Sequence, residues 1–84
     1  MKKQNSLKLF VAQQVRKKNY SKKLREKKWK QIDEWRLIAK TIGVSVVTVY
    51  AWHYNRYQPE KNSLHEDRLL AFCKMTRKQF YYLA

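Results

Sequence analysis

The side chains that most often carry catalysis are isolated from one another in this 84-residue chain. The two histidines, His53 and His65, and the single cysteine, Cys73, do not have the spacing of zinc ligands. The sequence also contains no Ser–His–acid set, no paired carboxylates and no glycine-rich phosphate loop. We therefore predict a protein that is not an enzyme and holds no metal or cofactor. Both histidines are expected at the surface, and Cys73 is expected in the core as a small apolar residue.

Basic side chains are the strongest chemical signal in the sequence. The chain contains 20 Lys and Arg against 6 Asp and Glu, which gives a formal charge of +14. Residues 1–30 hold twelve of the basic residues and a single acid, Glu26. Such a concentration of charge repels itself unless a polyanion offsets it, and nucleic acid is favoured here over an anionic membrane surface. The residues of this stretch that we expect to contact phosphates are Lys17, Lys18, Lys22, Lys23, Arg25, Lys27 and Lys28.

Three further features of the sequence bear on the compartment. No apolar run reaches the length of about 18 residues that a membrane-spanning helix needs. The N-terminus lacks the continuous apolar stretch of a signal peptide, because Lys8, Gln13 and Gln14 interrupt it. A single cysteine fits a reducing environment. We therefore expect a cytoplasmic protein that does not enter a membrane.

The distribution of glycine, proline and apolar residues predicts helices. The chain has one glycine and one proline, so long stretches contain no helix breaker. Apolar residues recur at the spacing of one helical face between Leu7 and Val15, which predicts a helix over residues 6–18. Residues 22–30 keep only a ragged apolar spacing. They form a helix of their own, a continuation of the first helix or a mobile arm.

Capping signals mark further helices in the C-terminal half. The first of these helices should end at Gly43. Two of the predicted N-cap residues, Ser63 and Thr76, are followed three positions later by Glu or Gln, which is the pattern of a capping box. The run 44–49 is rich in β-branched residues and by propensity favours a strand, but the signals on either side favour a helix. The predicted fold is an all-α domain of four to five helices with a basic N-terminal extension. The predicted N-cap residues are Asp33, Ser45, Ser63 and Thr76.

Four residues have the spacing of a helix-turn-helix over about residues 35–54. A small residue, Ala39, stands where the second helix would press against the first. Gly43 follows four positions later and tolerates the positive φ of the turn. Val49 and Trp52 would then point back into the crossing of the two helices.

The run Leu37–Trp52 resembles the helix-turn-helix of the lambda-repressor-like regulators, and the likeness extends over residues 34–84. The helix at 6–18 is a plausible counterpart of the first helix of that family. The resemblance implies a helix-turn-helix domain at 34–84 with a basic helix or arm at 1–33 packed on it. It also implies a transcriptional regulator of phage or mobile-element type. We expect this regulator to bind double-stranded DNA as a homodimer. The same run also resembles a helix-turn-helix of the terminase-small-subunit type.

The family likeness places the N-terminal end of the second helix in the major groove. Its outward residues lack the Arg, Gln and Asn side chains that make bidentate contacts to guanine or adenine, so we expect contacts to thymine methyl groups and modest specificity. Three residues near the motif are expected to contact phosphates, namely Thr48, His53 and Arg56. The residues expected to face the bases are Ser45, Val46, Val47, Tyr50, Ala51 and Tyr54.

The same sequence features are compatible with a second class of function. The helical scaffold and the basic arm would bind an acidic protein partner or a nucleoprotein machine, as an inhibitor or accessory module in replication, packaging, recombination or anti-defence.

The positions of the aromatic residues bear on the choice between these two functions. Trp52 is expected in the core, Trp29 and Trp35 are left open between core and surface, and residues 80–83 are expected mainly in the core with a further role in a dimer contact.

Overall fold

The computed structural model describes the backbone of residues 3–21 and 28–83, and the side chains of residues 4–20 and 28–82. Within these ranges the chain forms five helices and two short strands, which confirms the predicted all-α class. In chain order the elements are β1 (Lys3–Asn5), α1 (Leu7–Ser21), α2 (Gln31–Ile42), α3 (Val46–His53), α4 (Leu64–Cys73), α5 (Arg77–Phe80) and β2 (Tyr81–Leu83).

The two strands were not predicted from the sequence. They pair antiparallel, with Asn5 opposite Tyr81, so the two ends of the described chain lie side by side. The C-terminal run is therefore divided between core and surface. Phe80 and Tyr81 are buried as predicted, whereas Tyr82 is 43 % exposed.

Asn5 holds this N-terminal segment to the rest of the fold and is itself buried. Its side-chain amide donates to the carbonyl oxygen of Trp52 at 3.0 Å and to Oε1 of Gln58 at 2.6 Å. Its Oδ1 accepts from the backbone N–H of Leu7 at 3.0 Å, and its own backbone N–H donates to Oδ1 of Asn55 at 2.8 Å. These bonds tie the start of α1 to the end of α3 and to the loop that follows.

The first two helices differ from their predicted bounds. Helix α1 continues to Ser21, beyond the predicted end at Lys18. The prediction that Asp33 caps α2 is wrong, because this helix begins at Gln31 and Asp33 lies within its first turn. There the carboxylate of Asp33 accepts from the backbone N–H of Lys30 at 2.8 Å, so it satisfies the end of the helix from inside rather than from the cap position.

The other three N-caps are confirmed. The hydroxyls of Ser45, Ser63 and Thr76 each accept a backbone N–H three residues later, at 3.1–3.2 Å. The β-branched run is accordingly a helix, with Val49 fully buried on its inner face. Local capping and burial outweigh β-propensity at this position.

One core joins all five helices. The predicted stripe of α1 contributes its apolar face to this core, so α1 packs on the helix-turn-helix rather than standing apart. Leu64, the first residue of α4, is 60 % exposed and lies outside this core. The central core residues are Leu7, Phe10, Val11, Trp35, Ile38, Ala39, Ile42, Val49, Trp52, Leu69, Cys73, Phe80 and Tyr81.

Glu66 is a buried carboxylate that joins α4 to the C-terminal segment. Its Oε2 accepts from the hydroxyl of Tyr81 at 2.7 Å, and its Oε1 accepts from Arg77 at 2.6 Å and from the backbone N–H of Asn62 at 3.1 Å. Burial alone would raise the pKa of Glu66, but these hydrogen bonds and the charge of Arg77 together hold it below its ordinary value. The carboxylate is therefore charged and satisfied inside the fold.

Candidate nucleic-acid interface

The turn between α2 and α3 has the left-handed glycine and the buried alanine that were predicted for it. Gly43 ends α2 with a φ of 91°, a conformation that favours glycine. The carbonyl oxygen of the buried Ala39 accepts the N–H groups of Gly43 at 2.8 Å and of Val44 at 3.0 Å. The sequence analysis did not identify Arg68 of α4, whose Nη1 donates to the carbonyl oxygen of Ile42 at 3.0 Å. That bond satisfies a free carbonyl at the end of α2 and secures the turn.

The outer face of α3 carries an apolar and aromatic surface. Val47 is 73 % exposed, Tyr50 is 36 % exposed and Tyr54, just after the helix, is 45 % exposed. Ser45 is exposed at the N-terminal end of the helix. Val46 is half-buried and packs partly against the core, so it is only a marginal member of this face. We call Val47, Tyr50 and Tyr54 the α3 face.

Two residues expected to contact DNA from α3 do not have the predicted exposure. Ala51 is only 4 % exposed, so the prediction that it faces the bases is wrong. Its carbonyl oxygen accepts from the N–H of Arg56 at 2.9 Å, a bond that closes the C-terminal end of the helix. Thr48 is half-buried, and its hydroxyl lies 3.0 Å from that of Ser45 within the helix cap. It is poorly placed to bind a phosphate.

A cluster of aromatic rings supports the α3 face from α2. The ring centroid of Trp35 lies 5.3 Å from that of Tyr50, 5.0 Å from that of His53 and 6.0 Å from that of Tyr54, all in edge-to-face arrangements. Trp35 is buried. The sequence left its position open, and the structure makes it the residue on which the exposed rings rest.

His53 is part of this cluster and is not a surface residue. It is 2 % exposed, and its Nδ1 accepts from the indole N–H of Trp35 at 3.1 Å. Because an indole N–H can only donate, the proton of neutral His53 is on Nε2. The nearest atom of Gln31, 3.1 Å from Nε2, is the amide nitrogen, so a hydrogen bond between the two side chains requires the amide of Gln31 to be turned with its oxygen toward His53. Burial, with a smaller effect from the charge of Lys8, lowers the pKa of His53 from 6.5 to about 4. The prediction that His53 contacts phosphate is therefore wrong, since the ring is buried and uncharged.

Two cations flank the α3 face. The guanidinium carbon of Arg56 lies 5.5 Å from the ring centroid of Tyr50, and the Nζ of Lys8 lies 5.8 Å from that of Tyr54. Both side chains are exposed. Arg56 was predicted from the sequence but Lys8 was not, because the position of α1 relative to α3 depends on how the helices pack. Together the two residues put positive charge beside an apolar surface.

The basic stretch is only partly described by the structure. The Nζ of Lys18 lies 2.7 Å from Oε1 of the buried Glu34 and 4.7 Å from the ring centroid of Trp29, so the prediction that Lys18 contacts phosphate is wrong. Its charge is already paired inside the protein. Lys17 and Lys28 are exposed. Four of the residues expected to contact phosphates lie outside the described residues, namely Lys22, Lys23, Arg25 and Lys27.

The remaining chemically reactive residues are dispersed. Cys73 is buried as predicted, and burial, with the nearby charge of Glu34, raises the pKa of its thiol to about 12. His65 is exposed on α4 as predicted. Among the residues that the structure describes, no three His, Cys, Asp or Glu side chains are grouped as metal ligands would be.

The comparisons with known proteins add nothing to this description. Models of known protein families, curated proteins and solved structures all give no match to the chain. None of the described helices is long and apolar enough to cross a membrane. The function must therefore be argued from the surface of α3 and from the charges around it.

Proposed function

We propose that this protein binds double-stranded DNA through the α3 face and acts as a small transcriptional regulator of the lambda-repressor-like type found in phages and mobile elements. The observation that carries the proposal is the exposure of Val47, Tyr50 and Tyr54 on the second helix of a helix-turn-helix, with Lys8 and Arg56 beside them. Exposing apolar groups together gives a free monomer no stability, so the surface is best explained by a ligand.

The composition of the α3 face matches one kind of contact in the major groove. Val47 has an isopropyl group that packs well against the C5-methyl group of thymine. The tyrosine hydroxyls donate or accept hydrogen bonds at base edges, with less discrimination than a bidentate side chain. Lys8 and Arg56 lie beside the two tyrosines and would meet phosphates at the edge of the groove. We therefore expect a preference for T-rich sites and an affinity that depends strongly on phosphate contacts.

The corrected contact set is smaller than the predicted one. Ala51 and His53 leave it because they are buried, and Thr48 leaves it because it is half-buried, whereas Ser45 is exposed. Lys18 leaves it because it pairs with Glu34. The base-facing residues that remain are Ser45, Val47, Tyr50 and Tyr54, with Val46 at the edge, and the described phosphate contacts are Lys8, Lys17, Lys28 and Arg56.

We also propose that the DNA-bound form is a homodimer in the cytoplasm. Two copies would place their α3 helices in half-sites about 34 Å apart along the duplex, one helical turn. Leu9 on α1 is 64 % exposed and Tyr82 on β2 is 43 % exposed. They supply apolar surface of the kind that such a contact buries. If the dimer uses this surface, Leu9→Glu should shift the protein to monomer in sedimentation velocity.

A second candidate function uses the same surface for a protein. Val47 and the two tyrosines would fit an apolar pocket on an acidic partner, and Lys8 and Arg56 would pair with carboxylates at its rim. The protein would then act as an inhibitor or accessory of a nucleoprotein machine. Aromatic residues and arginine dominate protein–protein interfaces. The composition of the α3 face therefore makes protein binding the alternative to DNA binding.

Selection of bound duplexes from a random pool is the experiment that tests the main proposal. We expect enrichment of a defined, T-rich half-site. The affinity of wild type for the selected duplex and for a random duplex should then be compared with that of Val47→Asp at equal salt. The new carboxylate should weaken binding to the selected duplex by at least about tenfold, the scale of one lost base contact.

Leu64→Asp is the matched control. It places the same charge at a similarly exposed apolar position, but on α4. It should reduce affinity for both duplexes only slightly. If the pool shows no enrichment, or if the two variants bind both duplexes equally well, α3 does not enter the groove and the protein-binding candidate is favoured.

A further inference from the structure

Gln31 of α2 lies beside the C-terminal end of the α3 face and contacts two residues there. It is exposed, and one terminal atom of its amide lies 3.1 Å from Nε2 of His53 and 3.3 Å from the hydroxyl oxygen of Tyr54. The direction of both hydrogen bonds depends on whether that atom is the nitrogen or the oxygen of the amide, since the two exchange places when the amide turns over. The orientation of Gln31 therefore decides how Tyr54 can bind a ligand.

The buried pair behind Gln31 determines this orientation. The indole N–H of Trp35 donates to Nδ1 of His53, so the neutral ring has its proton on Nε2. His53 is buried, and a buried N–H without an acceptor is costly. An amide nitrogen cannot accept that hydrogen bond, whereas an amide oxygen can. The amide of Gln31 therefore turns its oxygen toward His53.

The same oxygen sets the direction of the bond to Tyr54. An amide oxygen has two lone pairs, so it accepts the N–H of His53 with one and has the other for a second donor. Because this oxygen has no proton to donate, the hydroxyl of Tyr54 is the donor at this contact. Its single proton is then used inside the protein, and the lone pairs left on the hydroxyl can only accept. Tyr54 is partly exposed, so a ligand can reach this acceptor.

We propose that Tyr54 distinguishes bases as a hydrogen-bond acceptor and accepts from the N6 amino group of an adenine, which rests on the proposed entry of the α3 face into the major groove. The donors in that groove are the exocyclic amino groups of adenine and cytosine, whereas N7, O6 and O4 are acceptors that this hydroxyl would not bind. Adenine is the base that agrees with Val47, because each A·T pair also carries a thymine methyl group. Gln31 is then a positioning residue, which directs the hydroxyl of Tyr54 without contacting the base.

The tautomer of His53 in the free protein is the first test. Long-range nitrogen–proton correlation spectra at neutral pH distinguish a ring protonated at Nε2 from one protonated at Nδ1. We expect the Nε2–H form, because Trp35 donates to Nδ1. A ring protonated at Nδ1 would overturn the proposal, since the amide nitrogen of Gln31 could then donate both to His53 and to Tyr54.

Base analogues in the selected duplex test the contact itself. Purine in place of adenine removes the N6 amino group, and 7-deazaadenine removes the N7 acceptor instead. At one adenine of the half-site we expect purine to weaken wild-type binding by about three- to tenfold, the scale of one hydrogen bond, and 7-deazaadenine to change it little. Tyr54→Phe has already lost this bond, so purine should not weaken its binding further. That comparison separates the contact from any effect of the analogue on the duplex.

Variants of Gln31 test its role as a positioning residue. Gln31→Met removes the acceptor and leaves the hydroxyl of Tyr54 free to donate or accept, so the preference for 7-deazaadenine over purine at that adenine should disappear. Gln31→Glu keeps an oxygen acceptor and should retain the preference, although its charge weakens binding to every duplex. Gln13→Met, at an exposed glutamine of α1, is the control and should behave as the wild type.

The outcomes separate this inference from the proposed function. The inference is overturned, and DNA binding by α3 is not, if a half-site is selected but purine weakens binding at none of its adenines through Tyr54. A Gln31→Met protein that keeps the wild-type preference has the same consequence for the role of Gln31. If the pool shows no enrichment, the proposed function fails and the contact of Tyr54 with adenine fails with it.

Discussion

The indole N–H of Trp35 donates a hydrogen bond to Nδ1 of His53, at 3.1 Å, and so joins the two helices of the helix-turn-helix through a pair of buried side chains. The bond requires His53 to be neutral. It also holds the ring against which Tyr54 packs, at 4.6 Å between centroids. The position of the exposed tyrosines therefore depends on the protonation state of a residue that DNA does not touch.

Stability should depend on pH through His53. The pKa is about 4 in the folded protein and 6.5 in the reference state, so between these values the unfolded chain binds more protons. The contribution of His53 is thus complete above pH 6.5 and is lost as pH falls toward 4, by up to about 3 kcal/mol. Urea unfolding from pH 7.5 to 4 measures it. His53→Gln should flatten this part of the profile, whereas His65→Gln, at an exposed histidine, should not; equal profiles in all three proteins would refute the assignment.

Gly43 should be required for its backbone conformation rather than for space. Its φ is 91°, and an added Cβ would lie at an ordinary 3.5 Å from Nη1 of Arg68. Gly43→Ala should therefore destabilise the fold by about 1–2 kcal/mol from strain alone. Gly43→Asn should cost less, because Asn tolerates the left-handed region better. Equal stability of Ala and glycine proteins in thermal melts would mean that the turn is not left-handed.

The salt dependence of DNA binding should reveal the cations beside the α3 face. Each phosphate contact adds about 0.9 to the slope of log affinity against log salt concentration. Lys8→Gln and Arg56→Gln should each lower the slope by about one, and the double variant by about two. Lys78→Gln removes an exposed charge from α5 and is the control. Fluorescence anisotropy between 50 and 200 mM salt gives the slopes. If Lys8→Gln, Arg56→Gln and the double variant all have the slope of the wild type, Lys8 and Arg56 are excluded from the interface.

Glu66 should be important for attaching the C-terminal segment. Glu66→Gln removes the charge that Arg77 and the Tyr81 hydroxyl bind, and should cost about 2–4 kcal/mol. Because its pKa is lowered in the fold, the contribution is complete above the unfolded value and is lost as pH falls through the folded value. Asp67→Asn, at the exposed neighbour, should change the denaturant midpoint little. Comparable losses in the two variants would contradict the role given to Glu66.

Features that depend on residues close together in the chain could be predicted from the sequence. The caps at Ser45, Ser63 and Thr76 involve a hydroxyl and an amide three residues apart, so the sequence contains both partners. The end of α2 at Gly43 follows from one residue that tolerates positive φ. The inward position of Val49 follows from helical periodicity. These signals are local, and the all-α class depends on them.

Tertiary packing alone decided which charged and polar side chains are available at the surface. Lys18 pairs with Glu34, sixteen positions later, and His53 is paired with Trp35, eighteen positions earlier. Lys8 reaches Tyr54 because the core places α1 beside the end of α3. Helical periodicity gives the face on which a residue lies, but what covers that face belongs to elements distant in the chain. The sequence therefore determined the helices and the turn, and their packing determined the binding surface.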